Sequence, residues 1–337
     1  MIIKEDFCLT SFNTFGVESL AYELAIVTSI DNLDELFKAG KLRENILIIS
    51  KGSNILLTGN FIGLVLLNQI WGKEIVEEND NHIFLKVNAG EFWPSLVEYT
   101  VNKGWGGLEN MTDIPGKVGA APIQNIGAYG AELKDVLVKM EAFNLKTGKI
   151  ETFSNSDCNF GYRTSIFKTE YKNRYFITNV TLKLSKKPIV NLSYAPLREA
   201  FKDRNKSEIT IKEVSDKIAE IRKSKLPDPD KLCNAGSFFK NPIIEMEQLH
   251  DLKQEFISVP NYPQKDSTYK IPAGWLIEQC GLKGKREGNI GVHDKQALVI
   301  VKYGNATGYE ILKFAESIKK AVAEKFKIKL EFEVNVV

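Results

Sequence analysis

Hydrophobic positions along the first part of the chain switch repeatedly between two periods. Leu20 to Val27 and Asn45 to Ser50 carry the dense apolar content of buried strands, and Leu64 to Leu67 and Ile83 to Val87 add two more. Between them, Leu33, Leu36 and Phe37 fall on one face of a short helix over Asn32 to Lys38. Pro94 suits the first turn of a helix running to Lys103, with Gly104 as its stop. Strands return at Val136 to Leu145 and Phe176 to Leu184. After a plausible joint at Lys186-Lys187-Pro188, Ile211, Val214, Ile218 and Ile221 mark a helix near Ile209 to Lys223. The run Leu226-Pro227-Asp228-Pro229-Asp230 then breaks the chain.

The later part gives a strand-like Ser237-Phe238-Phe239, a helix near Met246 to Phe256, and a second helix opened by Pro272 and stopped at Gly281. Leu298 to Val301 reads as a strand and Tyr309 to Lys325 as a strongly periodic helix. In the tail, Ile328, Leu330, Phe332, Val334 and Val336 alternate with Lys329, Glu331, Glu333 and Asn335, which predicts a half-buried strand.

One stretch fits neither period. Gly104 to Gly130 holds seven glycines and two prolines, Pro115 and Pro122, with few charges. It is too apolar for a disordered linker and too rich in glycine for a plain helix. Loops of that length inside compact domains usually serve function.

Composition narrows the field without choosing a function. The chain has 337 residues, 45 Lys and Arg against 43 Asp and Glu, and a formal charge of +2. Near-neutral balance argues against a surface built for nucleic acid, which needs clustered cations. A hydrophobic share of 43% argues against disorder. The length implies two or three domains. Met1-Ile2-Ile3-Lys4-Glu5-Asp6 reaches acidic residues too early for a signal peptide. The uncharged run between Lys51 and Lys73 is interrupted by Asn and Gly, so no membrane span is expected. Cys8, Cys158, Cys233 and Cys280 form no CxxC pair, and His82, His250 and His293 are well separated, so neither a disulfide frame nor a metal centre is expected. These features together point to a soluble, cytoplasmic, multidomain protein.

Two segments carry candidate chemistry. Lys51-Gly52-Ser53-Asn54 follows a strand, where a glycine lets backbone amides approach a phosphate, although taken alone a simple turn accounts better for an isolated Gly-Ser-Asn. Neither GxxxxGK[ST] nor a strand-linked GxGxxG occurs, which disfavours the common nucleotide folds. The seventeen residues from Ile114 to Gly130 contain one charge, Lys117. Small residues there permit close backbone packing against something flat or phosphate-bearing, and Gln124 and Asn125 add donors and acceptors.

These segments, in order with several others, resemble the UDP-N-acetylenolpyruvoylglucosamine reductase family, the UDP-N-acetylmuramate dehydrogenases of bacterial peptidoglycan synthesis. The resemblance runs from Asn13-Thr14-Phe15-Gly16 through Gly52-Ser53-Asn54, Ile114 to Gly130, Gly161-Tyr162-Arg163-Thr164-Ser165-Ile166-Phe167-Lys168 and Lys225-Leu226-Pro227-Asp228-Pro229. It continues in Asn234-Ala235-Gly236-Ser237-Phe238-Phe239-Lys240-Asn241-Pro242, Ala273 to Gly281, and Leu330-Glu331-Phe332-Glu333-Val334. It implies an α+β fold: a two-part FAD-binding domain of the PCMH, vanillyl-alcohol-oxidase-like type, followed by a smaller α+β substrate domain. The corresponding boundaries are 1–190 for the flavin domain, joined by 327–337, then 191–224 as a connecting tyrosine loop and helix, and 225–326 as the substrate domain.

On this resemblance, Gly52, Ser53, Asn54, Pro115, Gly116, Gly119, Ala120, Gln124, Asn125, Gly127, Ala128 and Tyr129 hold FAD, and Tyr129 sits where flavin and substrate meet. Many members carry more glycines in the first turn, where this chain has Ser50-Lys51. The family's usual Asp after Tyr-Arg is Thr164. Saturating an enol ether needs a hydride, which a flavin supplies and no side chain can, and a proton. Ser237 matches the proton donor. Arg163 matches the arginine beside the enolate-like intermediate. Alternation alone leaves Glu331 and Glu333 equivalent, and the Leu-Glu-x-Glu-Val register matches Glu333 to the family's glutamate. Lys225 resembles the diphosphate lysine, and Tyr194 resembles the tyrosine that closes over the diphosphate in the subtype with an extra tyrosine loop. Asn241, Tyr262 and Gln296 match further substrate contacts. The resemblance also implies NADPH as hydride donor in a pocket shared with the UDP-sugar, in a monomer. An oxidase of the same fold and a non-catalytic nucleotide-sugar binder are the rival readings. The first often tethers FAD to a histidine that neither flavin loop contains, and the second predicts loss of Ser237, Arg163 or Glu333.

Overall fold

The computed structural model describes residues 2–43 and 45–337. The chain divides into two compact units: Met1–Phe7, Ala21–Lys51 and Ile62–Ser224 form the first, and Cys8–Leu20, Gly52–Phe61 and Lys225–Val337 the second.

Two sheets build the first unit. Strands Ile3–Cys8, Leu20–Val27, Phe61–Asn68 and Ile46–Ile49 lie side by side in that order, the last pair parallel with Ile49 opposite Leu67. Strands Lys149–Ser154, Leu137–Asn144, Tyr175–Ser185, His82–Asn88 and Lys73–Glu78 form a five-stranded antiparallel sheet. Tyr175–Ser185 is central and buried along most of its length, so its Phe176-Ile177 and Val180 positions need no polar alternation. Trp93–Asn102 begins with proline in its first turn and buries Trp93, Leu96, Val97 and Val101. Its side chains join Ile83, Leu85, Val87, Val180, Leu182 and Leu184 in the unit's main core, which also takes Ile211, Val214 and Ile218 of the helix Ile211–Lys225. The stretch 104–130 carries only short 3₁₀ turns and a two-residue hairpin, Gly127–Ala128 against Ala131–Glu132.

In the second unit, strands Cys233–Ser237, Val299–Lys302, Ile290–Val292 and Arg286–Glu287 form one sheet in that order. Ile243–Ile244, Tyr269–Lys270 and Tyr262–Pro263 form a small second one. Helix Gly308–Phe326 starts with a capping box, in which Thr307 accepts from Glu310 N while the Glu310 carboxylate accepts from Thr307 N. It buries Ile311, Phe314, Ala315, Ile318 and Val322. Phe15, Phe238, Phe239 and Phe332 pack edge-on or tilted, with ring centres 5.3 to 6.1 Å apart.

Most predicted elements lie within a residue or two of the observed ones, and the mixed α+β class holds. Two strands differ. The strand near Ser237 ends at Ser237 rather than continuing through Phe239, because Gly236 at φ +70° and a register shift between Asn234 and Ser237 bend it. The tail keeps the predicted burial alternation only in part: Ile328, Leu330 and Val334 are buried, but Phe332 is partly covered and Val336 exposed, and only Asn335–Val336 is regular strand, paired in parallel with Ile55–Leu56. Side-chain alternation sets which residues face inward; a ladder also requires a neighbour along its whole length, and here Phe332 makes a single bridge to Phe239.

Candidate active site

In the first unit the loop from Pro115 to Gly130 is fastened at both ends. Its start lies along residues 89–93: Gly119 N donates to Ala89 O at 2.9 Å, Val118 N to Glu91 O at 2.9 Å, and Trp93 N to Gly116 O at 3.1 Å. A side chain at Gly119 would meet the Ala89 methyl at 2.6 Å, so the close approach demands glycine. Lys117, the segment's lone charge, is buried. Its Nζ donates to Asn68 O at 2.8 Å and lies 4.5 Å above the Trp71 ring and 5.4 Å from that of Phe92. Burial depresses its pKa against the opposing field of Glu91.

The middle of the loop is stapled to the segment that carries Arg163. Ser165 Oγ donates to Ile123 O at 2.7 Å, Lys168 Nζ to Gln124 Oε1 at 3.1 Å, and Asn125 Nδ2 to Gly161 O at 3.2 Å. Asn125 is fully buried at φ +46°, donates also to Glu132 at 3.0 Å, and accepts from Lys134 N at 3.0 Å. Its amide is therefore consumed within the protein, holding the loop in shape. Gly161 and Thr164 exchange backbone bonds of 3.1 and 3.3 Å, which puts Tyr162-Arg163 at the tip of a tight turn with Arg163 at φ +55°. The guanidinium lies 5.6 Å from the Tyr162 ring. Thr164 thus serves as a closing residue of that turn.

At the loop's far end, Tyr129 meets Tyr194 edge-on, ring centres 5.0 Å apart. The charges of Arg222 and Asp113 both act on the Tyr129 hydroxyl. Burial raises the Tyr129 pKa, partly offset by Arg222, and lowers that of Arg222.

The second unit gathers the other candidates by backbone pairing. Ser237 lies opposite Val299, Phe238 N donates to Leu298 O at 2.7 Å, and Phe238 O accepts from Glu333 N at 2.9 Å. The Asn234 side chain holds the bend, accepting from Gly236 N at 2.9 Å and donating to Leu232 O at 2.8 Å. Apart from its chain neighbours Ala235 and Ser237, no atom among the described residues stands within 4 Å of where a Cβ on Gly236 would project, so space is open beside Gly236. The Glu331 side chain is 73% exposed and pairs with Lys240 at 2.8 Å, whereas Glu333 is half-buried. Structure therefore separates two glutamates that alternation could not.

Gly52-Ser53-Asn54 belongs to the same cluster. Asn54 Nδ2 donates to Glu333 O at 3.3 Å and Asn54 O accepts from Asn335 N at 3.1 Å. Gly52 has φ +65°, and a Cβ there would lie 1.9 Å from Phe12 O. Asn241 Oδ1 accepts from Ala273 N at 2.9 Å, and Gln296 Oε1 would lie 3.2 Å from a Cβ on Gly274, so both flank the start of helix Ala273–Gln279. Tyr262 and Lys225 are exposed, on other elements.

Sequence reasoning passed over Asn110, Lys117, Lys168 and Arg222 as working side chains. Arg222 had a signal: it lies four residues past Ile218 on the buried stripe of its helix, where a cation is out of place.

An α+β frame with a tight glycine turn and a long small-residue loop fits the FAD-binding class of oxidoreductases. Residues 23–154 match the family model described as FAD binding domain, and residues 228–337 match that of UDP-N-acetylenolpyruvoylglucosamine reductase, C-terminal domain. Along its whole length the chain is 46% identical to the UDP-N-acetylenolpyruvoylglucosamine reductase of Flavobacterium johnsoniae and 44% identical to that of Amoebophilus asiaticus, covering 100% of each. The crystal structure of the Thermus caldophilus reductase superposes with a TM-score of 0.69 at 24% identity, covering 99% of both chains. The chain belongs to the UDP-N-acetylenolpyruvoylglucosamine reductase family, flavin-dependent oxidoreductases that use FAD. Among the described residues no helix is long and apolar enough to cross a membrane.

Proposed function

We propose that the chain reduces UDP-N-acetyl-3-O-(1-carboxyvinyl)glucosamine to UDP-N-acetylmuramate in cell wall synthesis, with NADPH as hydride donor, NADPH and the UDP-sugar using one pocket in turn. The observation that carries this reading is the main-chain bond from Glu333 N to Phe238 O, which sets Glu333 against the residue after Ser237, beside the open space at Gly236. FAD supplies the hydride to the methylene carbon when bound. Gly52, Ser53, Asn54, Pro115, Gly116, Gly119, Ala120, Gln124, Gly127, Ala128 and Tyr129 hold the cofactor, and Asn125 shapes the loop from within.

Ser237 gives its hydroxyl proton to the carbon that bears the carboxylate. A serine hydroxyl is a weak acid, so negative charge developing on the enolate side must be met in place. Arg163 supplies that positive charge, and Glu333 orients the reacting group. Lys225 and Tyr194 bind the diphosphate, with Asn241, Tyr262 and Gln296 as further substrate contacts. In the matching domain division, 1–190 with 327–337 hold the flavin, 191–224 connect, and 225–326 take the substrate.

Stopped-flow absorbance tests the assignment. Ser237→Ala should leave NADPH bleaching of the flavin intact and slow its reoxidation by the enolpyruvyl substrate by about 10² to 10⁴-fold. Reoxidation at the native rate would remove Ser237 from the role.

A further inference from the structure

We infer that Asn110 is a positioning residue that ties the substrate-closing tyrosine segment to the end of the flavin loop; the inference rests on the reading of Tyr129 and Tyr194 given above. Asn110 is 2% exposed and both hydrogens of its amide are spent on main-chain carbonyls: Tyr129 O at 2.8 Å and Asn191 O at 2.9 Å. Those carbonyls belong to segments more than sixty residues apart in sequence, joined by one side chain.

The joint is reciprocal. Asn191 Nδ2 donates back to Gly130 O at 2.9 Å, while Asn191 Oδ1 accepts from Ser193 N at 3.0 Å. Tyr129 and Gly130 are the central residues of the hairpin in which Ala128 faces Ala131, and their φ values are +50° and +86°. A two-residue turn with both angles positive favours Asn-Gly. Tyrosine in the first position is a poor fit to that geometry, since its Cβ crowds the backbone there. Asn110 and Asn191 hold the carbonyls of those two residues, and so keep Tyr129 in a conformation it would otherwise leave. Gly130 also lets the tyrosine segment come close, because a Cβ there would lie 2.4 Å from Ser193 Oγ.

Consequently the edge-on contact of Tyr129 with Tyr194, and the place of the Tyr129 hydroxyl in the field of Arg222, depend on a residue whose amide bonds only the main chain of Tyr129 and Asn191. Asn110 sets the aromatic and cationic corner that an anionic diphosphate sugar would enter. It acts on binding, not on the proton or hydride.

The test compares FAD-loaded wild type with Asn110→Leu, which fills similar volume without donors, and with Asn191→Ala, which cuts the partly exposed side of the joint. Oxidised enzyme is titrated with the enolpyruvyl UDP-sugar, followed by flavin absorbance, and steady-state KM and kcat are measured alongside. Both variants should bind the sugar about tenfold more weakly, with KM raised to match, while kcat at saturation and flavin content stay within about twofold of wild type. Unchanged sugar binding in a folded, FAD-loaded variant overturns the inference, as does an equal fall in kcat with KM unmoved. If Asn110→Leu does not fold, Asn191→Ala decides by the same readings. A wild-type flavin that gives no response to the sugar refutes the proposed function itself, which separates the two failures.

Discussion

The two units hold their candidate residues by different means. In the first, Arg163, Gln124 and Tyr129 stand on loops that contain almost no regular structure, and buried side chains such as Asn125, Ser165 and Asn110 fasten those loops through carbonyls. In the second, Ser237 and Glu333 are set by main-chain pairing, with Phe238 O receiving Glu333 N. Side-chain staples permit a loop to take unusual backbone angles, as at Asn125 and Arg163, because each bond is placed where the strain is. Strand pairing gives less freedom of shape but needs only backbone atoms, so a single substitution disturbs it less. The difference predicts where each unit should be fragile.

Glu333 and Glu331 offer the sharpest break. Glu333→Gln should lower kcat by about 10²-fold or more, since the reacting group loses the carboxylate that orients it. Glu331→Gln should leave kcat near the native value, because its carboxylate is exposed on Lys240 and such pairs contribute about 0 to 1 kcal/mol. Equal losses in steady-state assays would mean that pairing alone does not select the glutamate.

A smaller, structural effect distinguishes the staples. Asn125→Ala removes hydrogen bonds to Gly161 O, Glu132 and Lys134 N from a fully buried site, and should cost about 2 to 4 kcal/mol in chemical denaturation. It should also weaken FAD retention measured by dialysis. A loss below about 0.5 kcal/mol, the range of ordinary surface changes, would show that the loop holds its shape without the staple.

The mildest prediction concerns thiols and leaves activity aside. Burial pushes Cys158 up to about 12, whereas hydrogen bonds from Thr10 lower the pKa of exposed Cys8. The lower value gives the larger thiolate fraction at any pH below it, so Cys8 should be alkylated first at pH 8 and Cys158 should stay unmodified. Mass spectrometry after iodoacetamide treatment checks the order; early labelling of Cys158 would mean that the first unit opens more readily than its packing indicates.

Much of this organisation was legible beforehand. Helices such as Trp93–Asn102 and Gly308–Phe326 announced themselves through a first-turn proline and glycine stop or through apolar spacing, because local stereochemistry and one buried stripe suffice to define a helix. The flavin loop was legible as a run of small residues. The roles of Asn110 and Lys117 were not, since a buried amide or ammonium is written in the same letters as an exposed one, and only its neighbours across the fold tell them apart.

The sequence by itself determined the order of strands and helices, the run of small residues from Ile114 to Gly130, and the family to which the motifs belong. Tertiary structure decided the rest. It separated Glu333 from Glu331, shortened the tail strand to Asn335–Val336, and joined Tyr129 to Asn191 through one buried amide. The physical reason is that periodicity reports which face of an element is covered, whereas hydrogen bonds between distant segments exist only once the chain has brought them together.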